Sequence, residues 1–160
     1  MIVEKARPKD INALVELRLA YLQEDNGKLE EETVRKIRQS LPKYYRDTLN
    51  KDLFVYLIRE NEEIVSCAFL LVVIKPMSPS FINGKTGTVL NVYTRPAARR
   101  KGYARKIMNT LIEDAAKMAL SRIELKATED GYPLYKAVGF LDDHEKYHNM
   151  TWIPQTQITS

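Results

Sequence analysis

The amino-acid sequence predicts an α/β fold, and three observations predict it. Short runs of β-branched and aromatic residues alternate along the chain with segments of helical periodicity. Two helical segments precede an apolar hairpin pattern. A strand-like stretch, Thr88 to Thr94, then passes through a basic loop into an amphipathic helix, and strand, helix and strand patterns follow.

In chain order, Ile2 to Ala6 reads as a first strand, and Arg7-Pro8-Lys9-Asp10 as the start of a helix. That helix carries Ile11, Leu14, Val15, Leu17 and Leu22 toward its apolar side and ends at Gln23 to Gly27. A second helix over about Glu30 to Leu49 carries Val34, Ile37, Leu41, Tyr45 and Leu49, with Pro42 expected to kink or divide it. Phe54 to Arg59 and Ile64 to Ile74 read as two strands joined by a tight turn at Glu60 to Glu63. Lys75 to Lys85 is a long connection, of a kind that is commonly functional or mobile.

Thr88-Val89-Leu90-Asn91-Val92-Tyr93-Thr94 is rich in strand formers and closed by Arg95-Pro96. Ala104, Ile107, Met108, Leu111, Ile112, Ala115 and Ala119 form the apolar stripe of the helix that follows. Between them, Arg99-Arg100-Lys101-Gly102-Tyr103-Ala104 places a lone glycine where the helix begins. The first amides of a helix lack intrahelical acceptors and its dipole is positive there, so this is anion-site chemistry. Six basic residues and no acidic one lie between Arg95 and Lys106, and the rest of the chain carries 19 basic against 21 acidic residues. The positive charge is therefore local.

Neither a GxxxxGK[ST] loop nor a GxGxxG array is present. The spacing Arg99-x-x-Gly102-x-Ala104 instead resembles the (Gln/Arg)-x-x-Gly-x-(Gly/Ala) motif of the GCN5-related N-acetyltransferases, the GNAT superfamily. Farther along, Arg122 to Ala127 alternates as a strand, Leu134 to Val138 is a short helix stopped by Gly139, and Phe140-Leu141 and Tyr147 to Ile153 read as two final antiparallel strands. Within this part, Thr128 to Phe140 resembles a second signature of that family, approximately Asn-x-x-Ala-x-x-Leu-Tyr-x-x-x-Gly-Phe. Tyr135, Gly139 and Phe140 fit it, whereas Thr128 and Gly131 stand where asparagine and alanine are common.

The resemblance covers nearly the whole chain. It implies a mixed, mostly antiparallel central sheet with helices on both faces and a V-shaped splay between the central strands, within one domain over residues 1–160. It implies acetyl transfer from acetyl-CoA to a primary amine by direct attack. Asn91, Val92, Tyr93 and Thr94 would then line the carbonyl and pantetheine, and Arg99, Arg100, Lys101, Gly102, Tyr103 and Ala104 the pyrophosphate. Thr128 could supply a hydroxyl contact in place of the asparagine. Tyr135 stands at the family position that also meets the cofactor and protonates the departing sulfur. Where some members carry a glutamate near the start of the central strand, this chain has Thr88. Glu24, Asp25 or a water could accept the amine's proton instead. A homodimer is a family-level expectation.

A related fold using another acyl-CoA, and a noncatalytic CoA-binding or interaction module, are the alternative readings. Acidic residues Glu24, Asp25, Glu30, Glu31 and Glu32 near the presumed acceptor wall favour a cationic amine, while small polyamine-like molecules, amino acids, aminoglycosides and peptide amines all stay open.

Composition narrows the remaining classes. The chain has 160 residues, 44% hydrophobic and 29% charged, as in a globular domain. Cys67, its only cysteine, sits in an apolar run and reads as an inert buried thiol. No disulfide framework or Cys/His ligand cluster appears, so a reducing compartment and no metal are expected. The sequence begins without a signal-peptide pattern, and its longest apolar run is too short to span a bilayer, so no membrane association and a cytoplasmic location are expected. The pI near 9.1 raises nucleic-acid binding, but charge concentrated at one turn argues against it. His144 and His148 lie in the tail and read as surface or strand residues.

Overall fold

A computed structural model describes residues 1–144 and 146–154. Five strands form one sheet in the order β1-β2-β3-β4-β5: β1 Glu4–Lys5, β2 Leu53–Glu60, β3 Glu63–Ile74, β4 Lys85–Thr94 and β5 Arg122–Glu124. All neighbours are antiparallel except β4 and β5. The β2–β3 turn places Asn61 and Glu62 at positive φ, as a two-residue hairpin turn matched to sheet twist requires.

Among the described residues four α-helices cover the two faces. α1, Ile11–Asn26, and α2, Glu31–Thr48, share one core with the sheet through Leu14, Leu17, Tyr45, Leu57, Phe69 and Tyr93. α3, Tyr103–Lys117, and α4, Tyr132–Ala137, pack the opposite face through Tyr56, Leu70, Met108, Leu111 and Tyr135. Asp10 ties the start of α1 to the sheet. Its carboxylate is 5% exposed, accepts the Arg7 N–H at 2.9 Å and meets Arg59, which also pairs with Glu4 on β1.

The structure departs from expectation at Pro42 and in the tail, and it adds the contacts of the Lys75–Gly84 connection. α2 is not divided at Pro42, and its apolar residues pack against the core on both sides of the missing N–H. In the Lys75–Gly84 connection, Lys75 N–H donates to Gly84 O at 2.8 Å, and Asn83 donates to the Ala119 carbonyl at 2.7 Å beyond α3. No strand forms at Phe140-Leu141 or Tyr147 to Ile153 among the described residues, and Leu141, Tyr147, Met150 and Trp152 are exposed. Composition favours strands there, but a strand forms only where the chain is laid along a sheet edge, and these residues are not.

Candidate functional site

The central strand is irregular where chemistry was expected. Cys67 faces Tyr93 and Phe69 faces Leu90, so Ala68 alone opposes both Asn91 and Val92, which is a β-bulge. Asn91 takes φ +52°, a left-handed conformation that asparagine tolerates better than other non-glycine residues. On its other side β4 pairs with β5 only from Thr86 to Thr88. Val89 to Thr94 keep β3 on one side but have no strand on the β5 side among the described residues, so the sheet opens at this point.

From the end of β4 the chain makes a short 3-10 turn at Pro96–Ala98 and reaches α3 through two left-handed residues, Arg100 and Gly102. Gly102, at φ +78°, is the residue before the helix, and no side chain caps this end. The first helical bond closes from Lys106 N–H to Gly102 O at 3.1 Å, leaving the preceding amides without intrahelical acceptors. A Cβ on Gly102 would meet nothing within 4 Å, so the space before the helix is open. Uncapped amides and open space suit a phosphate.

The basic side chains around this opening are less free than the local sequence suggests. Arg95 pairs with Glu63, Arg99 with Glu24 and Lys101 with Glu60, which also accepts the Tyr103 hydroxyl at 2.5 Å. Arg99 engages both Glu24 oxygens, at 2.6 and 2.8 Å, and donates through Nε to Thr94 O. Glu24 is thus joined to the anion loop, while Asp25 is exposed at the end of α1. Glu124, beside Thr88 in the sheet, is itself paired with Arg122.

Tyr135 enters from α4. Its ring stands edge-on to Phe140, with centroids 6.0 Å apart, and lies against Gly131. A Cβ on Gly131 would fall 2.8 Å from Tyr135 Cε2, so the ring occupies the space that an alanine methyl would need. Gly139, at φ +109°, ends the helix so that Phe140 N–H reaches Tyr135 O at 2.9 Å. Burial, with a smaller contribution from Tyr21, pushes the Tyr135 hydroxyl up to about 12. Thr128 is turned inward on its own loop, its hydroxyl accepting the Gly131 N–H at 3.1 Å.

A second group of residues meets the bulge from the α1–α2 side. Arg18 donates to Asn91 Oδ1 at 3.1 Å and lies 5.9 Å from the centre of the Tyr21 ring, which stands edge-on to Tyr93. Cys67 is buried beneath Asn91, and burial pushes its thiol up to about 12, as befits an inert cysteine. Arg18, Tyr21 and Tyr45 escape a sequence search because they come from two helices distant from β4. One signal existed: Arg18 is four residues after Leu14, a charge on the apolar side of α1.

His144 and His148 are exposed. Among the described residues no group of three potential metal ligands occurs, and no helix is long and apolar enough to cross a membrane. Two concavities, of about 490 Å³ between α1 and α2 and about 310 Å³ beside Glu60, Arg95 and Ala98, do not include Tyr135.

A family model described as the acetyltransferase (GNAT) family matches residues 12–140. The chain belongs to the GNAT acetyltransferase family. The match spans both sequence signatures and the α1–α2 wall. Solved GNAT structures carry the same architecture. A predicted acetyltransferase of Clostridium acetobutylicum, solved with acetyl-CoA, is 26% identical over 94% of this chain and 95% of its own, with a TM-score of 0.81. A GCN5-related N-acetyltransferase of Ralstonia eutropha is 22% identical over 93% and 97%, with a TM-score of 0.78. A ribosomal-protein-alanine N-acetyltransferase of Brucella melitensis shares the fold at 17% identity over 94% and 100%, with a TM-score of 0.67. Among curated proteins, none matches the sequence.

Proposed function

We propose that this GNAT protein transfers the acetyl group of acetyl-CoA to a primary amine by direct attack. One observation carries the reading: the uncapped, glycine-opened N-terminus of α3 follows the bulged stretch of β4 that has no neighbour on its β5 side among the described residues. An extended thioester with an anionic end fits such a pair of features. The pyrophosphate would take N–H bonds from the Gly102–Ala104 turn, with Arg99, Arg100 and Lys101 supplying charge. The pantetheine would lie along Asn91 to Thr94, whose amides would polarise the thioester carbonyl.

In the reaction the neutral amine nitrogen forms a bond to the carbonyl carbon, and the carbon–sulfur bond breaks. Tyr135 Oη gives its proton to the departing sulfur. A hydroxyl near 12 is a weaker acid than an ordinary phenol, so this transfer must accompany bond breaking and not precede it. The proton lost by the amine goes to Glu24, Asp25 or water; without cofactor, both Glu24 oxygens accept from Arg99. Tyr135 is restored by a proton from solvent.

The test is a panel of amines incubated with acetyl-CoA, following thiol release and the mass of the acetylated amine. Acetylated product supports transfer. Acetyl-CoA that binds and is never consumed favours a noncatalytic CoA-binding module. Faster turnover with longer acyl chains reassigns the donor.

A further inference from the structure

Resting on the acetyltransferase reading, we infer that Arg18 is a positioning residue: with Cys67 it clamps Asn91, and so holds the β4 bulge beside the proposed thioester carbonyl. Three contacts converge on Asn91, which is 3% exposed. From α1, Arg18 Nη1 donates to Asn91 Oδ1 at 3.1 Å. From β3, Cys67 meets it twice: Asn91 Nδ2 donates to Cys67 Sγ at 3.6 Å, and the thiol donates to Asn91 O at 3.7 Å. The bond from the charged guanidinium is the strong one, and the two sulfur bonds are weak.

The register of β4 shows what the clamp holds. Side chains alternate between the faces of a strand, so Val89 and Val92, three residues apart, would ordinarily point to opposite sides. Both pack instead against the core shared with α3, while Tyr93 joins the core shared with α1 and α2. The extra residue of the bulge makes this possible. Asn91 takes a left-handed conformation there, at φ +52°, which glycine would adopt with less strain. A glycine would leave Arg18 nothing to grip.

α1 reaches the strand at two points. Arg18 and Tyr21, three residues apart on the helix, share a face. The guanidinium lies 5.9 Å from the centre of the Tyr21 ring, and that ring stands edge-on to Tyr93 with centroids 6.3 Å apart. Asn91 and Tyr93 are thus both held from α1, with Val92 between them in the chain. Amides of this stretch that point away from β3 find no strand to pair with among the described residues. Such donors stabilise a developing oxyanion only when well placed, and a shift of about 1 Å can cost about 10²-fold in rate. A bulge gripped from a packed helix keeps that placement.

The experiment uses the full chain. Arg18→Met removes the donors, Arg18→Lys keeps a charged donor, and Asn91→Gly keeps the left-handed backbone without the side chain. In the ligand-free protein, amide hydrogen exchange at residues 91–93 should be about tenfold or more faster in Arg18→Met and Asn91→Gly, with exchange in β2 unchanged. With acetyl-CoA and the fastest acceptor of the amine panel, both variants should lose about tenfold or more in kcat, with KM for acetyl-CoA raised no more than a few-fold. Arg18→Lys should recover most of the loss, and Cys67→Ala should show a smaller loss of the same kind. Wild-type exchange or wild-type kcat in a folded Arg18→Met would overturn the inference and leave acetyl transfer standing. Arg18→Lys as impaired as Arg18→Met, with both lowered in Tm, would also overturn it by reducing Arg18 to packing. A wild type that binds acetyl-CoA and acetylates no amine would overturn both readings.

Discussion

Arg99 grips both carboxylate oxygens of Glu24 while its Nε holds the end of β4 at Thr94 O. This joins the last turn of α1 to the loop proposed for the pyrophosphate. The expectation that Glu24 serves the acceptor wall independently of the cofactor therefore changes. A pyrophosphate arriving at Arg99 competes with Glu24. Glu24→Gln should tighten acetyl-CoA binding about two- to fivefold, within the range of exposed ion pairs, and the gain should shrink as salt is added. Calorimetry at two ionic strengths checks it. Unchanged affinity would remove Arg99 from the cofactor site.

Gly102 tests the phosphate assignment more severely. Its Cβ would meet open space, so a substitution costs only the left-handed backbone, about 1–2 kcal/mol for most residues and more for a β-branched one. Gly102→Val should stay folded by circular dichroism and lose at least tenfold in acetyl-CoA affinity as the first turn of α3 shifts. A folded variant with wild-type affinity would count against the loop.

The Asp10–Arg59 pair sets an acid limit on stability. Burial opposes ionisation of Asp10, but the Arg7 N–H and Arg59 outweigh it and hold the carboxyl below the ordinary aspartate range. A depressed folded-state value means that this stabilisation is fully present above about pH 4 and fades as pH falls below it. Arg59→Ala should cost about 2–3 kcal/mol at pH 7 by leaving a buried carboxylate short of a partner. The deficit should narrow on acidification. Urea unfolding at several pH values measures both, and a pH-independent deficit would point to lost packing instead.

The elements were legible where periodicity and local motif coincide. The Arg99-x-x-Gly102-x-Ala104 spacing located the opening of α3, and the Leu134-Tyr135 to Gly139-Phe140 run located the closure of α4. What escaped depends on contacts between distant residues. Charge counting made the basic loop look unopposed, yet Glu24, Glu60 and Glu63 fold onto it. The bulge at Asn91 is a matter of register with β3, and Arg18 becomes notable only once α1 lies across β4. The tail from Tyr147 has strand composition, but pairing needs an edge that composition does not specify.

Gly131 supports the Tyr135 ring by being small. Gly131→Ala would drive a methyl to 2.8 Å from Cε2, so the ring must tilt away, at about 1–2 kcal/mol in stability. Turnover should fall with acetyl-CoA affinity largely kept, as expected when a proton donor is misaligned. Thermal melts and steady-state kinetics separate the two effects. Unaltered kcat would show that the orientation of Tyr135 is unimportant.

Tyr135→Phe asks whether the hydroxyl itself takes part. The ring would keep its contact with Phe140, so the fold should survive while the departing sulfur loses its donor. The expected loss in the chemical step is about 10²-fold or more. The hydroxyl lies near 12, so in the wild type its ionisation should cause no decline in rate as pH rises through 10. A rate limb near 10 would belong to a more exposed group. Single-turnover kinetics at saturating acceptor, compared between the two proteins across pH, avoid masking by product release. If the Phe variant performs the chemical step at the wild-type rate, the sulfur takes its proton from water, and Tyr135 serves only to pack against Gly131 and Phe140.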